Sequence, residues 1–217
     1  MNRVLPLALC AALALPTFGS SAVAQPQTKT HWEPEDGAEI VGRKAPEFAG
    51  LIWVNSKPLT LAALKGKPVF VRFWLGSCPM CQGSIPTLNY LYKTYSPKGL
   101  VVIGIHHPHG VSCSLESPEK VDVVMHQWGM KFPVALDNDW KTINRYWTGK
   151  SARAYTSSSV LIDRAGVIRW VHPGGLLALP ASLGGEGDSP AFESLQQAID
   201  VVLKSNAPAV RTSAKPR

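Results

Sequence analysis

Apolar residues recur along the chain in two rhythms, and the alternation between them marks out the elements. Val69 to Leu75 is an unbroken run rich in Val and Phe, entered through Gly66-Lys67-Pro68, and it reads as a strand. Leu100 to Ile105 is a second run, almost entirely β-branched or apolar, as a strand covered on both faces must be. Between them the spacing lengthens. Ile85, Leu88, Leu91, Tyr92 and Tyr95 return at helical intervals from Pro79 onward, so the region predicts a β-α-β unit. A second helix is expected after Ser117, a suitable N-cap, with Pro118 in its first turn and a stripe of Val121, Val124, Met125 and Trp128. Pro133 to Leu136 then suggests a short strand, and Trp140 to Trp147 a short helix. Ser159 to Ile162 and Val167 to Val171 flank Asp163-Arg164-Ala165-Gly166, whose residues suit a hairpin turn. A last helix carries Phe192, Leu195, Ile199 and Val202 on one face. This order predicts an α/β fold, a mixed central sheet with helices on both faces.

Both ends lack either rhythm. Arg3, the mostly apolar stretch Val4 to Leu15, and the small-x-small triplet Ala22-Val23-Ala24 have the form of an export signal over residues 1–24. A lipoprotein variant of that signal would use Cys10, but Leu9 before it is bulkier than such sites carry. No later run approaches the roughly 18 apolar residues a membrane helix needs, so no span is expected after the signal is removed. Residues 25–41 are polar, with Pro26, Pro34 and a cluster of acids, and are expected to form a flexible leader. Residues 42–204 form the folded domain, and 205–217 a disordered tail. The expected compartment is the periplasm, where disulfides persist.

Composition narrows the function. An apolar share of 45% with 17% charged residues excludes a disordered chain, a coiled coil and a collagen-like repeat. The net charge of +7 is scattered rather than run together, so no nucleic-acid partner is expected. Four cysteines are too few for a disulfide-built scaffold. The core must be hydrophobic, and Cys78, Cys81 and Cys113, which outlast the signal, are left for chemistry.

The segment Trp74-Leu75-Gly76-Ser77-Cys78-Pro79-Met80-Cys81 carries the most information, because a strand ends and a helix begins within it. A Cys-x-x-Cys pair at this junction suits disulfide exchange. The first sulfur sits where unpaired N–H groups stabilise a thiolate, which makes Cys78 the expected nucleophile and Cys81, one turn on, the resolving thiol. Pro79 fits a first turn, where its missing N–H costs nothing. A c-type haem site needs His after the second cysteine, where Gln82 stands, and a structural zinc site needs four ligands, with no second Cys-x-x-Cys to supply them. A purely structural disulfide remains the bland option, since so short a loop contributes little stability.

With these residues in view, the chain resembles the thioredoxin-like superfamily, specifically the exported thiol-disulfide oxidoreductases related to TlpA and ResA. The resemblance covers roughly Gly42 to Leu203. It rests on Gly42-Arg43-Lys44-Ala45-Pro46-Glu47-Phe48, Leu64-Lys65-Gly66-Lys67-Pro68-Val69, Phe73-Trp74, Cys78-Pro79-Met80-Cys81 and Leu161-Ile162-Asp163-Arg164-Ala165-Gly166, with Pro86 where such helices carry a kinking proline. It implies a redoxin domain that exchanges dithiol and disulfide with exported protein partners as a reductant, recharged by a membrane-bound disulfide reductase, without a dissociable cofactor. Trp74, Pro79, Met80, Thr156 and Ser157 would then line the approach to Cys78.

Three departures stand beside these matches. Arg72 occupies the position of the thioredoxins' buried carboxylate, six residues before the first cysteine, and would lower a thiolate's pKa if it points under the pair. Ser84 stands where many relatives carry Glu. Ser157, after Thr156, replaces the family's cis-proline, and the Thr156–Ser157 bond is expected to be trans because a non-proline cis bond costs roughly 2.5–4 kcal/mol. The missing proline leaves open a copper-binding module built from Cys78, Cys81, Cys113, His106, His107 and His109, since soft sulfur and imidazole suit copper. The plainer expectation is that the histidines form a polar loop facing water, with Cys113 an unpaired loop residue. A peroxidase of the peroxiredoxin type is disfavoured, because it needs Thr or Ser where Leu75 stands.

Overall fold

The computed structural model describes residues 36–109, 116–149, 153 and 155–205. The expected export signal, the first part of the leader, Cys113 and nearly all of the tail lie outside the described residues.

Among the described residues six strands make one sheet: β1 (Ile52–Trp53), β2 (Val69–Trp74), β3 (Val101–His106), β4 (Val134–Leu136), β5 (Ser159–Ile162) and β6 (Ile168–His172), in spatial order β1-β4-β3-β2-β5-β6. β2 runs parallel to β3 and antiparallel to β5, so the sheet is mixed, as the pattern predicts. β2 is central, and all six of its residues are buried, which is why it shows no polar alternation. β1, only two residues long, is too short to show a rhythm and was not expected; it is placed by pairing Ile52 with Leu136 on β4.

The helices are α1 (Pro79–Gly83), α2 (Ile85–Tyr95), α3 (Pro118–Gln127), α4 (Lys141–Ile143), which continues as a π-helical turn Asn144–Thr148, and α5 (Pro190–Lys204). On one sheet face Phe70, Trp74, Leu161 and Trp170 pack against Leu88 and Leu91 of α2 and Phe192, Leu195 and Ile199 of α5. On the other, Val71, Phe73, Ile103 and Val160 meet Ile143, Tyr146 and Trp147. One helix was expected from Pro79 onward, but it divides at Ser84 into α1 and α2. Pro86 has no N–H to donate to the Gln82 carbonyl, so the regular ladder stops there.

The leader assignment needs correction at its end. Residues 36–41 are packed against the domain: the Gly42 N–H donates to the Ile168 carbonyl at 2.8 Å, and Arg153 pairs with Asp36 at 3.2 Å and with Glu39. Gly37 adopts φ 96°, and a Cβ there would lie 2.6 Å from the Trp147 ring, so the turn accepts only glycine.

Candidate active site

β2 delivers the chain to the site. Its last residue, Trp74, lies edge-on to the ring of its register partner His106 at 4.5 Å between centroids, and Gly104, two residues before it on β3, lets the indole lie close over that strand. After Leu75 the Gly76 N–H donates to His106 Nε2 at 3.3 Å, which fixes the turn into α1. Cys78 is the N-cap of α1, and its sulfur accepts the Cys81 N–H at 3.2 Å, supplying one of the acceptors a helix start lacks. Pro79 follows in the first turn.

The two cysteines are free thiols in unlike surroundings: Cys78 is half-buried, while Cys81 is 1% exposed. Burial pushes the Cys81 thiol up to about 11, against the pull of the Arg72 charge beside it. Cys78 is open to the outside in part; Cys81 is closed off from it.

Arg72 does not face water. It is 1% exposed and points beneath the cysteines from β2. Its Nη1 donates to Ser159 Oγ at 3.1 Å, and its Nη2 donates to Ser84 Oγ at 3.4 Å and to the Gly175 carbonyl at 2.6 Å. Ser84 Oγ in turn donates to the Met80 carbonyl at 2.7 Å and accepts the Leu177 N–H at 2.9 Å. Ser157 Oγ accepts the Gly175 N–H at 3.2 Å. Two of the three positions that depart from the family pattern, Arg72 and Ser84, are therefore bonded to each other. No peptide bond among the described residues is cis, so Thr156–Ser157 is trans, as expected from its cost.

The loop after β6 brings apolar side chains beside the site. A Cβ built on Gly83 would lie 2.9 Å from Leu176 Cδ1, and one on Gly175 would lie 3.6 Å from Met80 Sδ. Met80, Leu176 and Tyr155 are 41%, 49% and 47% exposed, an apolar rim next to the reachable sulfur. Ser159, Gly175, Tyr155 and Leu176 were not singled out in the sequence. Their proximity arises from sheet register and from a loop a hundred residues away, so no local signal marks them.

The histidines contradict the expectation of a water-facing loop. His106 is the last residue of β3 and His107 the next, and both are buried because β3 lies inside the sheet. They face opposite sides: His106 turns to Trp74, His107 to Trp140 at 4.7 Å between centroids. Burial pushes His106 down to about 3 and His107 to about 4. His109 is exposed. The copper set is not assembled among the described residues, where no three His, Cys, Asp or Glu side chains come together as ligands. A strand's alternation separates neighbouring histidines, which a loop would not have done. His172 ends β6 beside Arg72, and burial together with that charge pushes it down to about 3.

The family model described as the AhpC/TSA family matches residues 41–171. A DipZ protein of Mycobacterium bovis is 36% identical over 155 residues, which are 70% of this chain and 20% of that protein. The chain thus spans about a fifth of that relative's length. A thiol-disulfide oxidoreductase ResA of Bacillus cereus is 30% identical over 149 residues, covering 69% of this chain and 78% of the relative. Among solved structures, a putative thiol:disulfide interchange protein DsbE from Chlorobium tepidum superposes with a TM-score of 0.56 at 26% identity, over 75% of this chain and 97% of that one.

Proposed function

The chain belongs to the AhpC/TSA family, and from that premise we propose that it is an exported thiol-disulfide oxidoreductase whose Cys78-Pro79-Met80-Cys81 dithiol reduces disulfides of protein partners. The observation that carries this reading is the unequal exposure of two free thiols one helical turn apart. The Cys78 thiolate attacks a client disulfide; one client sulfur leaves and takes a proton, and a mixed disulfide remains. Cys81, giving up its proton, attacks the Cys78 sulfur and expels the second client sulfur. The client gains two electrons and two protons, and Cys78 and Cys81 end joined.

Electrons move as thiol and disulfide, so the exchange requires no dissociable cofactor. A membrane-bound disulfide reductase returns the pair to its dithiol form, and the working domain, residues 42–204 with 36–41 packed on it, acts in the periplasm after loss of 1–24. Pro79 and Met80, both exposed, shape the approach, whereas Trp74, expected there, is 1% exposed and packs in the core beneath it; the Thr156 backbone pairs with an extended client segment beside Ser157. The rim of Met80, Tyr155 and Leu176 supports a protein client, since exposed apolar clusters mark docking sites. Turnover of a model protein disulfide with dithiothreitol tests the reading. Wild type is expected to reduce it, Cys78→Ser to be inert, and Cys81→Ser to stop at the mixed disulfide; equal rates in all three would remove the assignment.

A further inference from the structure

Arg72 is a buried cation without an anion. Among the described residues no carboxylate pairs with it; its partners are two hydroxyls, a carbonyl and the Cys81 side chain, and its Nε is buried with no hydrogen-bond partner. A buried charge balanced only by neutral dipoles is costly, and such charges persist where an opposite charge forms beside them. The titratable groups that face it are Cys81 and Cys78 at the start of α1 and His172 at the end of β6. His172 is kept neutral by burial and by Arg72 itself, and among the described residues no carboxylate acts on Cys81.

We propose that Arg72 is the counter-charge of the Cys81 thiolate in the resolving step, so that this chain activates its buried cysteine by a fixed positive charge where relatives of the resembled family place a carboxylate. The proposal rests on the exchange reading above and deepens it. In that step the Cys81 S–H bond breaks, the Cys78–Cys81 bond forms and the Cys78–client bond breaks. The client sulfur leaves with the electron pair and takes up a proton, while the guanidinium holds the charge that Cys81 carries in between. Release of the client, rather than its first capture by Cys78, is the event Arg72 governs.

The test is single turnover of the reduced protein with a protein disulfide, acid-quenched and read by mass for the mixed disulfide, from about pH 6 to about pH 10. Arg72→Met is expected to accumulate the Cys78-linked adduct near neutral pH. Resolution should slow on the order of tenfold for each unit by which the Cys81 thiol rises, and recover as pH is raised. Arg72→Lys should restore most of the rate, because it returns the charge. The proposal is overturned by equal resolution rates and pH profiles in wild type and Arg72→Met. It is equally overturned by a loss that neither high pH nor Lys repairs, which would mark Arg72 as a packing residue. Trapping by Cys81→Ser separates the two levels: no adduct at all overturns the exchange reading and this proposal together, whereas a normal adduct with unaltered resolution in Arg72→Met overturns only the proposal.

Discussion

The guanidinium of Arg72 donates to the carbonyl of Gly175, 103 residues further along the chain, at 2.6 Å. This bond ties the central strand β2 to the loop after β6, and Ser84 ties the same loop to the junction of α1 and α2 through the Leu177 N–H. The floor of the dithiol and one wall of its approach are thus a single polar network.

That network needs Gly174, which adopts φ 131° and where a Cβ would meet Tyr155 Cβ at 2.3 Å. Gly174→Ala is expected to cost about 1–3 kcal/mol of stability, because neither the backbone angle nor the space admits a methyl. Urea denaturation would read the loss. An unchanged midpoint would show that the loop moves aside freely.

Ser84→Ala removes the acceptor of the Leu177 N–H and one of Arg72's partners while leaving the backbone intact. A buried donor left without an acceptor costs about 1–3 kcal/mol. The measurement is again the unfolding midpoint, and a substitution with no effect would mean that these groups find other partners.

Leu176→Lys places a charge in the apolar rim next to Met80 without touching the sulfurs. Reduction of a protein disulfide should fall on the order of tenfold, the low end of losing one apolar contact, while exchange with a small aromatic disulfide changes far less. Parallel losses on both substrates would argue against the rim as a docking surface.

Stability should fall on acidification through the buried histidines. His106 and His172 are held down to about 3 and His107 to about 4, whereas the unfolded chain takes up a proton near 6.5. Between those values the unfolded state binds more protons, so stability is full above about pH 6.5 and declines toward pH 3–4, by up to about 1.4 kcal/mol per pH unit for each histidine. Urea midpoints across that range should show a shallower slope for His172→Gln than for wild type. Identical slopes would mean that His172 charges in the folded protein.

How much of this was legible beforehand depends on whether the cause is local. The runs Val69 to Leu75 and Leu100 to Ile105, the helical stripe of α2 and the Asp163 to Gly166 turn are dictated by period and turn chemistry, so they stand in the chain within a residue or two of their observed bounds. The same holds for the cysteine pair at a strand-to-helix junction, since that arrangement needs only neighbouring residues. β1 and the packing of residues 36–41 depend on partners far along the chain, and no window around them carries a signal.

The sequence by itself determined the alternation of strands and helices and the placing of two thiols one turn apart, because backbone period and spacing are properties of adjacent residues. Only the tertiary structure decided that Arg72 points inward beneath those thiols rather than out to water, that His106 and His107 are buried on opposite faces, and that Leu176 and Tyr155 stand beside Met80. Whether a strand residue faces core or solvent depends on what covers the sheet, and here α1, α2 and a loop from the far end of the chain cover it.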